Sequence, residues 1–107
     1  MKKIEATFQP FKLDEIKEAL RKRRVQRLTV CEVKGAGHEQ AKMKYYRGVQ
    51  YLEDASEVKL EIIADDAEVD QVLDVIVSTL RDGGHYEGQI LILPMERVVR
   101  VHMNYSA

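Results

Sequence analysis

Apolar and polar residues alternate over residues 3–8, where Ile4, Ala6 and Phe8 are separated by Lys3, Glu5 and Thr7, the period of a half-buried strand. Pro10 stops that pattern. From Leu13 the spacing lengthens: Leu13, Ile16, Ala19 and Leu20 fall on one helical face, with Asp14 and Glu15 at the start and Arg21 to Arg24 at the end, the charge order a helix dipole favours. VQRLTVCEV predicts a second strand whose Leu28, Thr29, Val30, Cys31 and Val33 are apolar or β-branched on both faces, so cover is expected on both. From Gly35 to about Ser56 the periodicity lapses, which predicts a loop of about twenty residues, and in a compact domain such a loop is functional, disordered or a misassigned element. VKLEIIA restores strand alternation, Asp65 and Glu68 have the spacing of a capping box, and Val69, Val72, Leu73, Ile76, Val77 and Leu80 give the strongest helical signal in the chain. Gly83 and Gly84 can end that helix through a left-handed residue; ILIL then predicts a fourth strand, apolar on both faces, and RVVRVH a short fifth.

The order β-α-β, long loop, β-α-β predicts an α+β, ferredoxin-like βαββαβ sandwich with a short C-terminal strand, all in a single domain spanning residues 1–107. Two helices cover one face of a four-stranded sheet. The apolar residues left over between Leu28 and Val33 and between Ile90 and Leu93 therefore call for a second copy of the chain. Seventeen Lys and Arg against 18 Asp and Glu, with both signs interspersed, argue against nonspecific binding to nucleic acid or membrane. Cys31 is the only cysteine and is expected as buried core filler. Neither an apolar leader segment nor a run of eighteen apolar residues is present, so the cytoplasm is the expected compartment.

An RNA-recognition module would need stacking aromatics in its central strands and the glycine-aromatic pattern that presents them, and no strand has that pattern. A hydrolase would need a nucleophile with a positioned base or paired carboxylates, and no such local set occurs; no catalytic residue is assigned. His38, His85, His102 and Cys31 lie in four separate segments without ligand spacing, so no metal site is assigned either. RDGGHYEGQ is the remaining candidate, a glycine-rich stretch between a helix and a strand that is either a phosphate cradle or a turn.

MKKIEA, PFKLDEIKEAL, VQRLTVCEVKGAG, YYRGVQY, VKLEI and ILPMERVVRV occur in an order and spacing that resemble the P-II nitrogen-regulatory signal-transduction family along nearly the whole chain. The resemblance implies a non-enzymatic homotrimer that binds adenine nucleotide (ATP, ADP or AMP) between subunits. It also implies that a long T-loop, about residues 36–54, docks on a regulated enzyme, transporter or transcription regulator, and that residues 81–89 form the phosphate-binding B-loop. On this basis Thr29, Gly35, Gly37, Glu61 and Ile63 stand at or near adenine-side positions. Gly83, Gly84, His85, Tyr86, Glu87, Gly88 and Gln89 form the B-loop, while Arg100 and His102 stand on the last strand where the family has two arginines. Glu39, Gln40, Tyr45, Tyr46, Arg47 and Tyr51 belong to the partner loop. Tyr51 matches a tyrosine that some bacterial members have uridylylated, although partner contact is the favoured role.

The chain departs from the family at charged positions. Both B-loop lysines are missing, Tyr86 replaces a glycine, and His102 carries positive charge only when protonated. The extra charge of a γ-phosphate is thereby disfavoured, so ADP or AMP is expected to compete well with ATP, and affinity to rise as pH falls. Glu39 stands where the family glutamine holds magnesium and 2-oxoglutarate, and Glu57 near a lysine position; two anions facing a dianion repel it, which disfavours both effectors. Two alternatives stay open: a divergent sensor of another small ligand, and a protein-interaction trimer without nucleotide.

Overall fold

The computed structural model describes residues 1–25, 27–35, 41–82 and 88–102. Five strands and two helices follow in the order β1 (Lys2–Phe8), α1 (Leu13–Lys22), β2 (Leu28–Gly35), β3 (Ala41–Tyr46), β4 (Val49–Ala64), α2 (Val69–Arg81) and β5 (Gln89–Pro94). The antiparallel sheet runs β2-β4-β1-β5, with β3 paired to the first half of β4. This is the expected ferredoxin-like α+β sandwich, with the two helices packed on one face.

Register explains which residues make the core. Ile4, Ala6 and Phe8 of β1 stand opposite Ile62, Leu60 and Val58 of β4, and all six are buried on the helix side. Ile16 and Leu20 of α1 and Val72, Ile76 and Leu80 of α2 close over them. Each such side chain contributes about 1.5–3 kcal/mol by leaving water, so this layer drives the fold. Both helices fall where their spacing predicts. Helix α1 ends in a Schellman arrangement: Arg24 N donates to Arg21 O at 3.0 Å and Val25 N to Leu20 O at 3.1 Å, with Arg24 at φ 63.

Lys12 is a buried cation. Its ammonium donates to the carbonyls of Asp82 at 2.7 Å and Thr79 at 3.3 Å, and reaches Glu15 Oε2 at 3.4 Å. It thereby ties the entry of α1 to the free carbonyls at the end of α2, just before residues 83–87.

Several expectations fail for identifiable reasons. Residues 41–56 form strand rather than loop: β3 and β4 make a hairpin whose turn, Arg47-Gly48, has φ 51 and 78. Positive φ at both central residues is the type I′ geometry that matches strand twist, and Gly48 is its one sequence signal. The radius of gyration is 17.3 Å, against about 13 Å for a compact chain of this length. The expected capping box is absent, since Asp65 makes no side-chain cap; instead Glu68 N donates to Asp65 O at 2.8 Å in a short 3-10 turn. Cys31 is exposed rather than buried, because it pairs in register with Lys59 on the face the helices leave open, and β2 is an edge strand exposed at Thr29, Val30, Cys31 and Glu32. RVVRVH forms no strand; a β-branched run needs a partner, and none within the described chain pairs with it.

Candidate functional site

The open face of the sheet is organised in rows across the strands. One row joins Thr29, Glu61, Glu5 and Leu91; the next joins Ile63, Lys3 and Leu93; on the other side lie Cys31, Lys59, Thr7 and Gln89. At its centre Lys3 Nζ contacts Glu5 Oε1 at 2.9 Å and Glu61 Oε2 at 3.3 Å, while Lys59 Nζ contacts Glu61 Oε1 at 3.5 Å. The hydrogen bond from Lys3 holds the Glu5 carboxyl below its ordinary pKa, and the same bond, with a second to Glu61, holds the Lys3 ammonium above its own. Glu61 thus carries a fixed carboxylate between two ammonium groups, suited to accept a hydrogen bond. Thr29 lies beside it in register. Ile63, on the same face, is 44% exposed and adds an apolar wall.

The sequence-assigned residues do not converge within one chain. Gly35 pairs with Ala55 and Thr29 with Glu61, six residues further along β4, so they stand about 20 Å apart at strand rise. Gln89 pairs with Thr7 on the opposite edge of the sheet, three strand spacings or about 14 Å from β2. Two groups result. Gly88 and Gln89 lie on the β5 edge, and Gly35, Thr29, Glu61 and Ile63 lie on the β2–β4 side, with Gly35 at its hairpin end. Beyond β5 the chain leaves at the opposite end, where Met95 N donates to Met1 O at 3.2 Å, and leads to the exposed Arg100 and His102.

Tyr45 and Tyr46 belong to β3 and Tyr51 to β4, with Tyr45 opposite Gln50 and Lys44 opposite Tyr51, and Arg47 is at the exposed turn. Gly37, Glu39, Gln40, Gly83, Gly84, His85, Tyr86 and Glu87 lie outside the described residues. Glu57 is half-buried opposite Val33. Among the described residues no cluster of three His, Cys, Asp or Glu side chains could hold a metal ion. No described helix is long and apolar enough to cross a membrane. The Lys3–Glu5–Glu61–Lys59 network was missed from sequence. Its signal was the pair of opposite charges at alternate positions in each of two strands, Lys3 with Glu5 and Lys59 with Glu61, which cross-strand pairing converts into contacts.

An antiparallel α+β sandwich with an open sheet face of mixed charged and apolar residues and a projecting hairpin defines a small ferredoxin-like module without a local catalytic set among its described residues. Residues 1–105 match the family described as nitrogen regulatory protein P-II. The chain is 43% identical over 102 residues to the nitrogen regulatory protein P-II of Nostoc punctiforme, covering 94% of this chain and 91% of that one. The same coverage is found for nitrogen regulatory protein P-II of Cereibacter sphaeroides at 44% identity and for nitrogen regulatory protein P-II 1 of Escherichia coli at 40%. The chain belongs to the P-II family of regulatory proteins.

Proposed function

We propose that the protein is a non-enzymatic, cytoplasmic signal-transduction regulator, a homotrimer that binds adenine nucleotide between copies and controls a partner protein through the hairpin and its flanks. One observation supports this reading: Gly35 on β2 and Gln89 on β5 stand at opposite edges of the sheet, three strand spacings and four register positions apart. A second copy would let the β2–β4 side of one chain meet the β5 edge of another. Exposed Ile63, Leu91 and Leu93 on the open face supply apolar area for the contact between copies. The family name supports a role in nitrogen metabolism. With neither B-loop lysine present, ADP and AMP compete with ATP, and the Glu39 and Glu57 carboxylates disfavour 2-oxoglutarate with magnesium.

Complementation between variants tests the shared site. Gln89→Glu places an anion in one group and Arg100→Glu in the other, so trimers of either variant alone should bind ADP at least about tenfold more weakly, the loss of one charged contact. Trimers co-refolded from both variants contain some clefts with two intact walls and should recover a fraction of wild-type sites by calorimetry. No recovery in mixed trimers would place the site within one chain and refute the arrangement. Titrating ATP, ADP and AMP into the wild type tests the nucleotide itself, and tight ATP-selective binding enhanced by magnesium would contradict the weakened triphosphate site.

A further inference from the structure

Arginine accumulates where α1 gives way to β2. Arg23, Arg24 and Arg27 line a cavity of about 280 Å³ whose apolar floor is formed by Val25, Ile62 and Val72. Gln71 and Glu68, from α2 and the turn before it, complete the wall, and Glu68 is the one acid on it. Among the described residues none of the three guanidinium groups has an ion pair or side-chain hydrogen bond, whereas neighbouring Arg21 is held by both oxygens of Glu18 at 2.6 and 3.0 Å. Three arginines without ion pairs among the described residues, against the single acid Glu68, leave the rim of this cavity with net positive charge that an anion would neutralise.

The backbone adds a second observation. Arg24 occupies the left-handed position of the Schellman turn at φ 63, where glycine is favoured and a side chain carries a conformational cost. Packing does not compensate, since Arg24 is exposed. What the position adds is an arginine lining the cavity, a side chain whose planar fork can bind phosphate or carboxylate through two hydrogen bonds.

We infer that this cavity is a binding site for a small organic oxyanion, a phosphate ester or a polycarboxylate, whose charge is held by Arg23, Arg24 and Arg27 and whose apolar body rests on Val25, Ile62 and Val72. It borders the Thr29–Glu61 group through Ile63, which is also on the cavity wall, but its charge comes from residues outside that group, and its existence does not depend on nucleotide binding there. The volume suits a body of a few heavy atoms attached to one charged group.

Nuclear magnetic resonance titration of the whole protein at constant ionic strength tests this. Inorganic phosphate, phenyl phosphate and citrate are the probes, with chloride as the control. Saturable amide shifts at residues 23–27 and 62–64 are expected, tighter for phenyl phosphate than for inorganic phosphate because only the former uses the floor. Citrate binding more tightly than phenyl phosphate would assign the site to polycarboxylates, the opposite order to phosphate esters. Arg23→Gln and Arg27→Gln should each weaken the preferred probe about tenfold, while exposed Arg97→Gln should not change it. Arg24→Gly, which the backbone favours, should weaken the probe without loss of melting temperature. Shifts that grow linearly without saturation, or equal affinity in the arginine variants and the Arg97 control, would overturn the inference.

Discussion

Arg24, Lys12 and the Lys3–Glu5 pair show how single side chains set energies in this chain. Arg24 is an L-residue in a left-handed turn, so Arg24→Gly should raise stability by about 1 kcal/mol, or about 4 °C in melting temperature, measurable by circular dichroism. Lys12 acts in the opposite sense. Its ammonium satisfies the carbonyls of Thr79 and Asp82 from a buried position, and Lys12→Met leaves both without a donor. A loss of about 2–3 kcal/mol in urea unfolding is expected; a neutral result would mean that water replaces the ammonium there. For Glu5 the folded carboxyl titrates below its ordinary value, so its contribution is complete above that value and is lost as pH falls through the depressed one. Lys3 is raised, so its contribution is complete below its ordinary value and is lost only as pH rises through the raised one. Neutral pH retains both. Melting curves taken between about pH 3 and pH 7 should fall less steeply toward acid for Glu5→Gln than for the wild type.

At the scale of elements, legibility in the sequence follows burial. The periods of β1, α1 and α2 could be read because each has one face on the core: Ile4, Ala6 and Phe8 alternate, and Val72, Ile76 and Leu80 recur helically, for the same physical reason. The β3–β4 hairpin pairs beyond the four-stranded sheet, its sequence shows no period of two, and only the turn glycine Gly48 marked it. Cys31 was misplaced because a β-branched strand does not tell which face the helices cover. Of the candidate site, Thr29, Glu61 and Ile63 were identified by resemblance, yet their separation from Gly35 and Gln89 follows from register, which no single segment encodes. The hairpin's independence also predicts a tolerated deletion. Removing residues 39–52 leaves 36–38 and 53–54 to connect Gly35 and Ala55, which are already opposite each other in register. Stability should change by less than about 1 kcal/mol, because no described core residue is lost. Loss of cooperative unfolding in this variant would show that the hairpin supports the sandwich.

For the whole molecule the open face poses the main energetic problem. Ile63, Leu91 and Leu93 are 44%, 44% and 38% exposed around the Lys3–Glu61 network, all on the side of the sheet that no helix covers. Scattered apolar residues are tolerable on a monomer, but here they are neighbours in register: Leu93 stands opposite Lys3 and Lys3 opposite Ile63 in one row, and Leu91 opposite Glu5 in the next. Covering them would take their apolar area out of water and lower the dielectric around Lys3 and Glu61, strengthening that pairing. The proposed threefold assembly would cover this face with identical surfaces. Light scattering should therefore give three times the chain mass, and Leu91→Asp, which sets a carboxylate beside Glu5 on the face to be covered, should shift the protein to monomer. Val49→Asp is the control, since Val49 is 64% exposed beside the hairpin turn and should leave the mass unchanged. If Leu91→Asp assembles as the wild type does, the open face is not the contact. If the wild type is a stable monomer at micromolar concentration, the shared nucleotide site fails with the trimer.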